Sequence, residues 1–491
     1  MSEYTVTKAR EYEKDNIGKV TADERPEFHV TGQVGWVNDP NGFSVYKGEY
    51  HLFFQYHPYS TFWGPMHWGH VKSKDFIKWE FLPCAIAPDK DYDDKGCFSG
   101  SAIELDDGKQ LLIYTGVSKG FIDDKEADLQ QQCIAIGDGL NYEKCSINPV
   151  IPTEMIPEGG SGVDFRDPKI WKEEGRYFLA VGNRPSDGSG SILLYESEDA
   201  KSWSYKSVID KCENRYGKMW ECPDFFRLDG KKVLLVSPQD MEAEGYEFHS
   251  GNGTVVLLGR EDSENRFIRE SASSIDYGLD FYAPQTLLTP DGRRVMIAWM
   301  QNWDTCNQNH DERHIFGQMT VPRELTIKDN RLCQWPVREL ENYRSDVVMR
   351  TIDKGIMNVS FDDICGRIFD MEIDIAGEGN KEGEECIIRL AKSDKYETVV
   401  RVDLQNETMS FDRSASGGRR DIVSARTCKI NLKNGKVSLR ILMDHHGTEV
   451  FVNHGECAMS SMIYTPMDAD KIEFTTSQSV KAEVKFYRVT V

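Results

Sequence analysis

Three carboxylates stand at or next to the same slot of a recurring sequence unit: Asp39, Asp167 and Glu221. Asp39-Pro40 leads into a segment containing FSVYKGEYHLFFQ, Asp167-Pro168 into KIWKEEGRYFLAVGN, and Glu221-Cys222-Pro223 into DFFRLDGKKVLLVSPQ. Two further units open on Ser99-Gly100-Ser101 and on Tyr282-Ala283-Pro284. A lone Asp-Pro at a turn is ordinary, because Asp bonds its own backbone there. Three carboxylates in register across a repeat are a different matter. Like charges gathered in one cleft oppose each other's ionisation, which marks them as candidates for chemistry. Cleavage of a glycosidic bond needs two such groups, one to protonate the leaving oxygen and one to act opposite as nucleophile or base. Trp36, Trp63, Trp68, Phe98, Tyr282 and Trp299 lie near the starts or ends of units. Some must be core, but an aromatic face also suits the C–H face of a sugar.

The elements that must position these residues read as strands. Each unit is a small or acidic residue, a strand, a tight turn with Gly and a second strand, which is the hairpin signature. The units recur about every 55–70 residues, the kind of period that marks a repeat architecture. Five such units in an all-β chain predict a five-bladed β-propeller over residues 25–335, with the start of each unit innermost. A β-sandwich with coincidental hairpins is the alternative. Residues 1–24 form an N-terminal extension with a short surface helix between Ser2 and Lys19. Residues 336–350 read as a linker with a short helix. From residue 351 to 491 strands continue without the acidic-Pro motif, as in IFDMEIDIAG, ECIIRLAK, ETVVRVDL, KVSLRILMD, TEVFVN and KAEVKFYRVTV. That predicts a separate β-sandwich with a structural or binding role.

Composition narrows the partners. A chain of 491 residues, 39% hydrophobic and 29% charged, is long enough for two or three domains. Its net charge of −22 disfavours nucleic acid, which needs a basic surface. The first twenty residues lack an apolar signal core, and no apolar run approaches a membrane span. The 12 cysteines are scattered without CxxC spacing, so they read as reduced thiols in a cytoplasmic protein. Asn252 and Asn406 then carry no glycosylation meaning. Two metal readings fail. Asp89, Asp91, Asp93 and Asp94 mimic a calcium loop, but Gly100 stands where its bidentate Glu belongs. The stretch from His310 to His314 is not HExxH. No metal and no cofactor are expected, and the expected partner is a small sugar.

The motifs themselves resemble a known family. Trp36-Val37-Asn38-Asp39-Pro40-Asn41-Gly42, Phe165-Arg166-Asp167-Pro168-Lys169 and Trp220-Glu221-Cys222-Pro223-Asp224 are similar to three hallmarks of glycoside hydrolase family 32, the invertase and fructanase family. Phe53-Phe54-Gln55-Tyr56, His67-Trp68-Gly69-His70, Phe98-Ser99-Gly100-Ser101 and Phe281-Tyr282-Ala283-Pro284-Gln285 match further blocks in the same order. The resemblance runs from Arg25 through the C-terminal sandwich. It implies that Asp39 is the nucleophile, that Glu221 is the acid and then the base, and that Asp167, beside Arg166, stabilises the transition state. It implies a fructose subsite lined by Asn38, Gln55, Trp63, Phe98, Ser99, Tyr282 and Trp299, and a retaining β-fructofuranosidase, for which the two carboxyls stand about 5 Å apart. Cys222 adjoins the acid and is positioned to affect its pKa. Thr31-Gly32 departs from the family pattern, at a loop that bears on the pocket rim. The same residues would serve a fructosyltransferase, and a non-catalytic fructan-binding protein is the alternative of another class. For a phosphorylated substrate, Arg313 on the loop from Gln301 to His314 is the candidate contact, unless it pairs with Asp311 or Glu312.

Overall fold

The turn signals and the strands flanking them fold as hairpins, and each hairpin is extended by further strands into a sheet. The computed structural model describes residues 3–122, 124–306, 313–378, 382–419 and 422–491. Within residues 35–336 it holds five antiparallel sheets, I to V, of four consecutive-neighbour strands each, with one addition to sheet I. Their first strands are Gly35–Tyr46, Gly96–Glu104, Phe165–Glu173, Trp220–Leu228 and Tyr282–Leu288. These five strands touch one another in the cyclic order I, II, III, IV, V and back to I. Each therefore has neighbours on both sides. That is why Gly35–Tyr46 is buried along nearly its whole length instead of on alternate residues. The ring is closed by Ile315–Phe316, which leaves sheet V and pairs in parallel with Gly35 and Trp36 of sheet I.

One polar side chain from each first strand ties the ring across its axis. Asn41 accepts from the Gly100 backbone N–H at 3.2 Å. Ser101 donates to the Pro168 carbonyl at 2.7 Å. Gln285 donates to the Gly100 carbonyl at 2.7 Å. The buried ammonium of Lys169 lies 2.7 Å from the Thr286 carbonyl oxygen and 2.9 Å from Asp224. Buried polar groups must be paired, and here the pairing also fixes the five strands relative to each other.

Residues 348–488 form two six-stranded antiparallel sheets with a shared apolar core. All six strands read from the sequence in this region are present. Six further strands were not read, among them Cys457–Met462 and Ala425–Lys429 at the edges on one side, because CAMSSM and ARTCK carry few β-branched residues and no clear alternation. The sandwich is bonded to the five-sheet body through charges. His29 holds Asp444 at 2.9 Å and Glu449 at 2.8 Å. Arg323 binds Glu449, and Asp276 at 3.0 Å. All five side chains are buried.

The N-terminal helix, Val6–Asn16, is capped by Thr5. It is docked, not free on the surface: Arg10 donates to the Cys84 carbonyl and Glu13 accepts from the Cys84 N–H, both on the outer strand of sheet I. Asp89 and Asp93, two of the four acids of the calcium-like segment, clamp the buried ammonium of Lys144. No helix among the described residues is long and apolar enough to cross a membrane.

His29 makes the junction pH-dependent. Burial alone would lower its pKa, but the bonds to Asp444 and Glu449 lift it to about 9. A pKa raised on folding gives stability that is complete below the unfolded value near 6.5 and is lost as pH rises through about 9. The full effect is on the order of 3 kcal/mol. The melting temperature should therefore fall between neutral pH and pH 10, and His29→Gln should be less stable at neutral pH but lose less on the alkaline side. Parallel alkaline slopes for the two proteins would rule out His29 as the titrating group.

Candidate active site

The small-residue–Pro motif is the sequence trace of a β-bulge. In every one of the five sheets the pairing of first and second strand slips at the same point: after Val37, after Phe98, between Arg166 and Lys169, after Glu221 and after Tyr282. A bulge bends the strand and re-aims a side chain. Proline is tolerated there because the extra residue makes no ladder bond. Asp167, Cys222 and Ala283, each followed by proline, have φ of 67°, 48° and 52°, a conformation that disfavours side chains and is kept where the surroundings enforce it.

The bulges bring the three carboxylates to one end of the ring. Asp39 Oδ2 accepts from the Ser99 hydroxyl at 2.7 Å and lies 3.6 Å from Cys222 Sγ. Its Oδ1 is buried and has no hydrogen-bond partner among the described residues. Asp167 Oδ2 accepts from the Cys222 N–H at 2.9 Å, and the Asp167 N–H donates to Thr115. Glu221 accepts from Arg166 Nε at 2.9 Å on one oxygen. On its other oxygen it lies 2.6 Å from the Tyr282 hydroxyl and 3.0 Å from the Gln239 amide nitrogen. Cys222 thus meets both aspartates, by backbone and by thiol.

Residues 29–336 match the model of the glycosyl hydrolases family 32 N-terminal domain, and residues 339–491 match that of the family 32 C-terminal region. The chain belongs to glycoside hydrolase family 32. Among its relatives, sucrose-6-phosphate hydrolase of Zymomonas mobilis is 36% identical over 476 residues, covering 91% of this chain and 88% of that protein. Raffinose invertase of Escherichia coli is 35% identical, covering 91% of each chain. Among solved structures, the family 32 β-fructofuranosidase of Bombyx mori superposes with a TM-score of 0.84 at 32% identity, covering 99% of this chain and 98% of that one. A mutant of the same enzyme was solved with sucrose.

In this family 32 chain the carboxylates open onto a cavity of about 600 Å³, within the range of small-ligand clefts. Asn38, Asp39, Gln55, Trp63, Phe98, Ser99, Arg166, Asp167 and Glu221 line it. Trp36 donates to Asn38 Oδ1 at 2.8 Å and so orients the Asn38 amide. Trp63 is 49% exposed at the rim and meets Phe98 edge-on. Two expected lining residues sit one layer back. Tyr282 reaches Glu221 but is 1% exposed, and Trp299 is fully buried against Trp36 and Trp303. Trp303 takes the wall position instead.

Sequence reasoning missed Gln130, Asp164, Gln239, Asp240, Asn252 and Trp303. A signal existed for some: Gln239 and Asp240 directly follow the second strand of sheet IV, which ends beside Glu221. Arg313 does not line the cavity. Its guanidinium lies over the Tyr464 ring of the sandwich, and burial lowers its pKa. His314 pairs with Glu24. His310, Asp311 and Glu312 lie outside the described residues.

Burial raises Asp39 to about 6, with Glu221 adding to the rise and the Ser99 bond opposing it. Asp167 is also raised by burial; Arg166 opposes this, while Glu221 and Asp39 reinforce it. A carboxyl raised on folding stabilises the protein below its unfolded pKa, and that stability is lost as pH rises through the folded value. Asp39→Asn should consequently raise the melting temperature by a few degrees at pH 8, and the gain should shrink toward pH 4. Equal gains at both pH values would show that Asp39 is not held against its charge.

Proposed function

We propose that this family 32 enzyme hydrolyses terminal β-D-fructofuranosides of the sucrose type, sucrose or sucrose 6-phosphate and short fructo-oligosaccharides, with retention of configuration. The observation that carries the reading is the pairing of two differently treated carboxyls in one cavity. Asp39 keeps one oxygen without a hydrogen-bond partner among the described residues, whereas both oxygens of Glu221 are held by donors. A nucleophile needs a free oxygen; an acid/base needs a fixed direction for its proton. Relatives named for sucrose 6-phosphate, for raffinose and as invertase support the substrate class.

Asp39 attacks the anomeric carbon of fructose while Glu221 protonates the leaving oxygen. A fructosyl ester on Asp39 results. Glu221, now a carboxylate, takes a proton from water, which opens the ester and releases fructose. Tyr282 and Gln239 hold Glu221 on line. Arg166 bridges Glu221 and Asp164, while the Asp167 carboxylate holds fructose hydroxyls and stabilises the positive charge that develops on the sugar ring. The five sheets, closed in a ring, support a five-bladed propeller over residues 25–335, followed by a linker and a bracing sandwich over residues 351–491. The 12 scattered cysteines, read as reduced thiols, favour a reducing compartment, the cytoplasm.

Asp39→Ala should cost several orders of magnitude in kcat with the fold intact; near-normal turnover by the purified variant would remove Asp39 from the nucleophile's role. Glu221→Gln should lose most on sucrose and least on aryl fructosides, whose leaving groups need no proton. Equal losses would instead mark Glu221 as a binding group. For the intact enzyme, kcat/KM should decline as pH falls through about 6, where Asp39 takes up a proton, and equimolar glucose and free fructose from sucrose would distinguish hydrolysis from transfer to another sugar.

A further inference from the structure

The cavity mouth carries charge that bears on a question the catalytic residues leave open, namely whether the leaving-group sugar is phosphorylated. The fructose ring must sit against Asp39, so the leaving group lies outward, past Glu221 and Gln239. The walls there come from the ends of three successive sheets. Asp164 stands just before the first strand of sheet III, Asp240 just after the second strand of sheet IV, and Trp303 just after the second strand of sheet V. Asn252 completes the wall, and behind it Asp304 accepts from the Asn252 N–H at 2.7 Å and from its side-chain amide at 2.9 Å. Asp240 is exposed at the edge.

Arg166 is the single cation among the described lining residues. It is committed to Glu221 at 2.9 Å and to Asp164 at 2.8 Å. Arg184, behind it, is held by Asp164 at 2.8 Å through Nε and 2.6 Å through Nη2. Arg313 lies over Tyr464, away from the cavity. A phosphate entering this mouth would be a near-dianion with acceptor oxygens and no donor to offer. It would meet the exposed Asp240 at the cavity edge, inside the field of a protein of net charge −22. A neutral hexose is suited to the same surface. Its hydroxyls donate to carboxylates and amides, and its C–H face can lie on the half-exposed Trp63 or on Trp303.

We infer that the mouth selects an uncharged leaving-group sugar and rejects its 6-phosphate by like charge, with Asp240 as the principal discriminating residue. This rests on the hydrolase reading above and narrows it to sucrose-type neutral substrates.

The test compares kcat/KM for sucrose and for sucrose 6-phosphate, using the full chain at neutral pH. Sucrose should be preferred about tenfold or more at low salt, the factor that about 1.4 kcal/mol of repulsion supplies. Because the cause is charge near solvent, the preference should shrink severalfold between roughly 20 mM and 300 mM sodium chloride. Asp240→Asn, with its fold checked by circular dichroism, should shrink it at low salt. Sucrose 6-phosphate cleaved as well as sucrose, or better, overturns the inference while leaving the hydrolase reading in place. A preference for sucrose that responds neither to salt nor to Asp240→Asn overturns charge as its cause. Cleavage of neither sugar would sink the hydrolase reading and this inference together.

Discussion

Among the described residues, three of the five carboxyl groups that line the cavity, Asp39, Asp167 and Glu221, are held together beside one guanidinium, and most of the structure around them manages that crowding. In water, neighbouring carboxylates are screened. Buried together, Asp39 and Asp167 are held against ionisation by desolvation and by the neighbouring carboxylates. The chain meets this cost unevenly. Glu221 receives Arg166, Tyr282 and Gln239. Asp167 receives a backbone N–H, and Asp39 a hydroxyl and a thiol. Unequal solvation is what lets chemically similar side chains take opposite roles in one reaction.

Such an arrangement tolerates little movement, and two buried polar networks limit it. The Asn41, Ser101, Lys169, Asp224 and Gln285 network joins the first strands beneath the cavity. The His29, Asp444, Glu449, Arg323 and Asp276 network fixes the sandwich against the ring. Neither contributes a group to the cavity. Their connection to function is indirect: they hold strands whose bulges aim the carboxylates.

Much of this was legible in the chain because bulges leave a local trace. A small or acidic residue before proline is ordinary at one turn, but its return at the start of four hairpins let the three carboxylates and the repeated hairpins be read together. The third and fourth strands of each sheet were less visible, since they pair at longer range or face solvent, as in Ser204–Lys211. Trp299 and Trp303 show a sharper limit. Both lie beside the second strand of sheet V, and only the path of the chain beyond Trp299 decides which indole reaches the wall. Arg313 shows another. Its position depends on Tyr464 of the sandwich, some 150 residues distant, and no local pattern encodes that contact.

The parallel pairing of Ile315–Phe316 with Gly35 and Trp36 also has a bearing on biosynthesis. Sheet I is the first to leave the ribosome, yet its inner edge gains its partner only after about 280 more residues have been made. At about 5–20 residues per second, that interval is some tens of seconds. Throughout it the strand that carries Asp39 has an open backbone edge, the feature through which nascent chains pair with the wrong neighbour. The earliest segment of the active site to be synthesised is thus completed by one of the last segments of the ring.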